Sequence, residues 1–174
     1  MNRENEEGRV SLEEVETRMR PGNFSQVGFL GSEESLRQVL EADARTLDEL
    51  GVSADAMADR LGQLLEASIA STRAITSAGP YKVRLKRYKG PQICPFAPEP
   101  HENPCPGRGD KRFASIDWTI SNPRNGIQLS GPGLIVHLIG AHSFFEGLQS
   151  PYRVSPRKLA ELLELGSFSS AAGR

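Results

Sequence analysis

Apolar residues recur at helical spacing through the first half of this chain and switch to strict alternation close to residue 80. Ser11 reads as the N-cap of a short helix, SLEEVETRMR, with Glu14 completing a capping-box pattern; Arg18 and Arg20 near its end suit the helix dipole, and Pro21-Gly22 stops it. NFSQVGFLG follows as an irregular connector. A second helix is expected to open at Ser32, with Glu33 and Glu34 in its first turn; Leu36, Val39, Leu40, Leu47 and Leu50 form its apolar stripe and Gly51 ends it. A third opens at Ser53 and places Met57, Leu61, Leu64, Leu65 and Ile69 on one side. Joined by Gly51-Val52-Ser53, the two long helices predict a helical hairpin.

SAGP at 77–80 marks the change of period. In YKVRLKRYK, Val83 and Leu85 take one face while Lys82, Arg84, Lys86 and Tyr88 take the other, as in a half-buried strand. QICPF reads as a short strand ending near Cys94. Four further prolines and two glycines between Ala97 and Lys111 predict a long loop, and such loops are usually tied down or functional. Residues 112–121 alternate again, NPRNG turns, and IQL returns, which predicts a hairpin. LIVHLIGAHSFFEG is read as a helix starting at Pro132 and ending at Gly147, and Ser155-Pro156 opens a last helix. The expected fold is α+β: an N-terminal helical hairpin, then a small antiparallel sheet with a zinc-stapled loop and C-terminal helices. The corresponding divisions are a disordered lead-in at 1–10, an acidic helical region at 11–78, a zinc-stabilised α+β domain at 79–166 and a flexible tail at 167–174.

Composition narrows the classes. With 37% hydrophobic and 25% charged residues the chain suits a globular protein in water. No run approaches the roughly eighteen apolar residues of a membrane span, and MNRENEEGRV is no signal peptide, so the expectation is a cytoplasmic protein without a membrane partner. In a reducing compartment a Cys94–Cys105 disulfide is the less favoured use of the two cysteines. The net charge of −1 conceals a division: residues 1–80 carry 8 Lys+Arg against 15 Asp+Glu, and residues 81–174 carry 13 against 7. Basic residues with an aromatic on one strand face (Lys82, Arg84, Lys86, Tyr88) and in the loop (Arg108, Lys111, Arg112) point to nucleic acid as one partner. An ordinary solvated face, or one that docks the acidic helices, explains the same residues, and a pI near 6.3 is unlike that of a strong nucleic-acid binder.

The scarce chemistry is concentrated. Both cysteines and all three histidines lie between Cys94 and His142, spaced C-x6-H-x3-C-x31-H-x4-H. Thiolate and imidazole are zinc ligands, and the simplest tetrahedral set is Cys94, Cys105, His137 and His142, with His101 as a substitute. Residues five apart on an ideal helix differ by about 140° around its axis, so a shared ion requires the helix to loosen between the two histidines, with Gly140 the place for it. Glu102, Asp117 and Glu146 are the nearby carboxylates a zinc-dependent hydrolase could use as bases. The sequence has no H-E-x-x-H, no deaminase-type H-x-E with C-x-x-C, no P-loop and no G-x-S-x-G. The leading reading is a non-enzymatic interaction or regulatory module with a structural zinc and an unknown protein partner. A nucleic-acid-binding protein and a zinc-dependent hydrolase are the alternatives.

Overall fold

The computed structural model describes residues 10–99, 105 and 111–167, the side chains of Lys111 and Arg112 apart. His101, Glu102, Arg108, most of the expected lead-in and most of the expected tail lie outside the described residues. Within them the fold is α+β, as the period change predicts: five helices and a four-stranded antiparallel sheet.

Helix α1 spans Leu12–Met19, with the Ser11 hydroxyl accepting from the Glu14 N–H. Helix α2 spans Leu36–Leu50 and is capped by Ser35, which accepts from the Gln38 N–H. The expected start at Ser32 is therefore three residues early. Ser35-x-x-Gln38 is a capping pattern in its own right, and the Glu34 carboxylate is used elsewhere, accepting from the N–H groups of Gly31 and Gln149. Glu16 of α1 reaches across to accept from the Leu36 N–H, satisfying one of the orphan donors of α2. Gly51 ends α2 at a φ of 65°, a left-handed conformation that glycine adopts at little cost, and Ser53 caps α3, Ala54–Ile69.

Strands β1 (Thr76–Ala78), β2 (Tyr81–Arg87), β3 (Ile116–Asn122) and β4 (Ile127–Pro132) pair in chain order. The first was not anticipated. SAGP, expected to be a boundary, supplies two of the three β1 residues, Ser77 and Ala78, and the Gly79-Pro80 turn of the β1–β2 hairpin. The expected strand at QICPF is absent. That segment makes isolated backbone bonds, such as Gln92 N–H to the Ala114 carbonyl, and Pro91 and Pro95 have no N–H for a ladder. A 3-10 turn at Lys111–Ser115 precedes β3.

Helix α4, Ile135–His142, starts three residues later than expected because Pro132 is still paired with Asp117 at the end of β4. Gly133 makes the change of direction: its N–H donates to the Ile116 carbonyl, and a Cβ there would collide with the Phe113 carbonyl oxygen. Ser143, left-handed at a φ of 51°, ends the helix well before Gly147. Helix α5, Pro156–Leu163, is capped by Ser155 as expected.

One contiguous apolar cluster draws on α1 through α5 and the sheet, including Met19, Leu36, Leu61, Val83, Trp118, Ile139 and Leu159. On the inner sheet face Tyr81, Val83, Ile116, Trp118, Ile120 and Asn122 are buried, while Lys82, Arg84 and Lys86 are exposed on the outer one. The buried polar atoms are paired to α5 or to the next strand: Tyr81 Oη and Asn122 Nδ2 donate to the carbonyls of Leu163 and Leu162, and Trp118 Nε1 donates to that of Pro132.

Candidate metal centre

The long connection between β2 and β3 contains no paired strand among its described residues, yet Cys94 and Cys105 in it are both brought against α4. One ligand atom from each of Cys94, Cys105, His137 and His142 lies within 4.8 Å of every other. The Sγ atoms of Cys94 and Cys105 stand 3.4 and 3.3 Å from His142 Nε2. Tetrahedral zinc, with Zn–S near 2.3 Å and Zn–N near 2.0–2.1 Å, sets sulfur and nitrogen about 3.5 Å apart. The donors are those of a Cys2His2 site at close to its spacing, and the cluster could hold one metal ion. No disulfide joins the two cysteines.

The two imidazoles come together without the loosening expected at Gly140. Helix α4 runs unbroken through that residue and stops at His142, so no following helical turn confines the His142 side chain. The two rings then meet edge to face, with centroids 5.2 Å apart. Phe96 stacks flat on His142 at 4.1 Å and touches Phe144 edge-on, packing the Cys94 turn on the end of α4. From the other side Arg18 of α1 donates to the carbonyls of Pro95 (3.4 Å), Ala97 (2.5 Å) and Pro98 (3.4 Å), while Glu14 holds its other edge. A guanidinium has enough donors to clamp several carbonyls at once. Neither contact was legible in the sequence: Arg18 read as a dipole partner, and Phe96 lies in a segment with no period.

Electrostatics suit a site that exchanges protons for metal. Burial pushes the Cys94 thiol up to about 12, against the opposing effect of the neighbouring Phe96 and Ala97 backbone N–H groups. Burial raises Cys105 as well. His142 is pushed down to about 4, by burial first and then by His137. Near neutrality the metal-free cluster thus holds neutral thiols and a neutral His142 imidazole. Binding as thiolates releases two protons, and the N–H groups at Cys94 then favour the bound form.

The other expected residues are dispersed. Asp117 lies on the outer sheet face, where its carboxylate accepts from the Tyr88 hydroxyl at 2.8 Å. Glu146 is buried in the loop after α4 at a φ of 67°, its carboxylate accepting from the Ser150 hydroxyl and its carbonyl from Arg153. Burial raises it to about 7, against Ser150 and Arg153, which lower it. Arg153 also forks onto the buried Asp43 of α2, at 2.5 and 3.1 Å. This ion pair joins residues 110 apart in sequence, and no periodicity announces it. Lys82, Arg84 and Lys86 lie in one line along β2, with Tyr88 just past its end. No helix among the described residues is long and apolar enough to cross a membrane. The chain matches no protein-family model, no curated protein and no solved structure.

Proposed function

We propose that Cys94, Cys105, His137 and His142 hold a single zinc ion as a structural centre, in a cytoplasmic protein that acts as an interaction or regulatory module. The observation behind this reading is the mutual 4.8 Å limit on four ligand atoms drawn from two loop positions and one helix. Two sulfurs and two imidazole nitrogens are a donor set that zinc satisfies without redox chemistry or a preferred distortion. Four protein ligands fill a tetrahedron and leave no position for a reacting water, which favours a structural centre over the zinc-dependent hydrolase. The metal would fasten a connection whose described residues form no strand of the sheet to a helix of the core. His137 and His142 would orient on the ion, Cys94 and Cys105 would supply the charge that neutralises it, and Phe96 and Arg18 hold the loop in place.

The test is metal content by elemental analysis of protein purified without a histidine tag, followed by cobalt substitution. One zinc per chain, replaced by cobalt with the intense visible absorption of tetrahedral thiolate coordination, supports the centre. Freshly reduced, folded protein that takes up neither metal overturns it.

A further inference from the structure

Among the described residues the helices cover one face of the sheet and leave the other open, and the cross-strand register organises what is displayed there. Lys82 lies beside Ser121 and Gln128, Arg84 beside Thr119 and Ser130, and Lys86 beside Asp117 and Pro132. Each row begins with a cation on β2, and alternate residues of a strand lie about 7 Å apart. The single carboxylate on these rows, Asp117, already accepts from the Tyr88 hydroxyl. Among the described residues no carboxylate closes an ion pair with Lys82, Arg84 or Lys86. The acidic helices pack behind the sheet, so the charge division of the sequence is also a spatial one on this face.

Beside the cations lies a hollow of about 440 Å³ whose lining includes Arg84, Lys86, Tyr88, Thr119 and Tyr152 together with the Asp117 carboxylate. Its two tyrosines are 46% and 43% exposed, whereas Trp118 and Tyr81 on the inner face are buried. The Lys86 ammonium sits 4.9 Å from the centre of the Tyr88 ring, and Asp117 fixes the hydroxyl, so this ring is oriented before any ligand arrives. On the Lys82 and Arg84 rows the surface out to the β4 edge is hydroxyl and amide, with Thr119 and Ser130 hydrogen-bonded at 2.8 Å, and on the Lys86 row it is Asp117 and Pro132.

We infer that this open face binds single-stranded nucleic acid, its phosphates along Lys82, Arg84 and Lys86 and one base in the hollow lined by Tyr88 and Tyr152. Cations in a line with stacking rings at one end are what a flexible polyanion with aromatic side groups requires. An acidic polypeptide would use the cations and leave both rings without a role. A duplex buries its base faces and would leave them equally unused. Nothing in this argument depends on the metal, so the two proposals stand or fall separately.

The test is fluorescence anisotropy of the full chain with labelled oligo(U) and oligo(dT) over a range of salt, with circular dichroism and a cooperative thermal transition confirming that each variant is folded. Three phosphate contacts give a log–log salt slope of about −2 for a single strand. Reversal to K82E/R84E/K86E is expected to remove that slope and at least about tenfold in affinity. Tyr152→Ala is expected to weaken binding by roughly 5- to 150-fold at an unchanged slope, the range for one lost stacked base. Tighter binding of the RNA or of the DNA then identifies which of the two the face is built for. No saturable binding of either strand at low salt overturns the inference. Binding that both variants retain, or poly-glutamate competing as well as the oligonucleotides, also overturns it.

Discussion

The core and the Cys94–Cys105 connection are held by different physics. In the core, α2, α3 and the sheet bury side chains whose periodicity is visible residue by residue, and adjacent elements reinforce one another through a single apolar cluster. The connection adds Cys94 to the edge of that cluster and buries Ala97, but its described residues form no strand of the sheet, and its described turn is held by the Phe96 stack, the Arg18 clamp and the Cys/His cluster. Apolar burial is additive and non-directional, so the core tolerates many partial losses. A four-ligand centre is directional and close to all-or-none, because losing one ligand removes the geometry that the other three share.

This contrast yields four measurements, from the largest effect to the smallest. Trp118→Ala is expected to cost about 3–5 kcal/mol in denaturant unfolding, from cavity formation and the loss of its bond to Pro132, and by the same amount with or without chelator. A chelator-dependent cost would mean that core and connection are coupled. Cys105→Ser is expected to abolish stoichiometric metal uptake and to forfeit about 4 kcal/mol of the stabilisation seen with metal a thousandfold above its Kd. Hydrogen exchange should then accelerate around Cys94 and at the end of α4 while α2 and α3 keep their protection. Uniform acceleration across the chain would break the distinction.

Glu146→Gln tests the polar loop behind the site. The Glu146 carboxyl is raised to about 7 when folded, against 4.5 for the ordinary group, so the folded state holds the proton more tightly. The wild type therefore carries no ionisation penalty below about pH 4.5, acquires it as pH rises towards 7, and bears it fully above. The glutamine variant should gain on the wild type by up to roughly 3 kcal/mol across that window, measured with chelator in both samples. Equal stability at pH 5 and pH 8 would show that Arg153 fully compensates the charge. Arg18→Met is the mildest change. About 1 kcal/mol and a few-fold lower metal affinity are expected, the net worth of a hydrogen-bonded clamp on part-buried carbonyls. A loss as large as that of Cys105→Ser would place the clamp on a par with the ligands.

The sequence by itself determined the elements whose signal is local. Caps at Ser11, Ser53 and Ser155, the stop at Gly51, the alternation in β2 and β3 and the β3–β4 hairpin are written within a few residues of where they act. It also confined the soft ligands to one stretch of chain. Even local signals failed where two competed, as at Ser32 and Ser35, because Glu34 is committed to Gly31 and Gln149 and only the folded chain shows that. Tertiary structure alone decided that SAGP is half of a hairpin, that α4 stops at His142 so that both imidazoles meet the sulfurs, and that Arg18 spans 79 residues to hold the Cys94 turn. It decided likewise that Asp43 and Arg153 form one buried pair. Periodicity and capping report interactions between residues a few positions apart. A ligand cluster and a buried ion pair depend on distances between segments, which are set only when the apolar faces have packed.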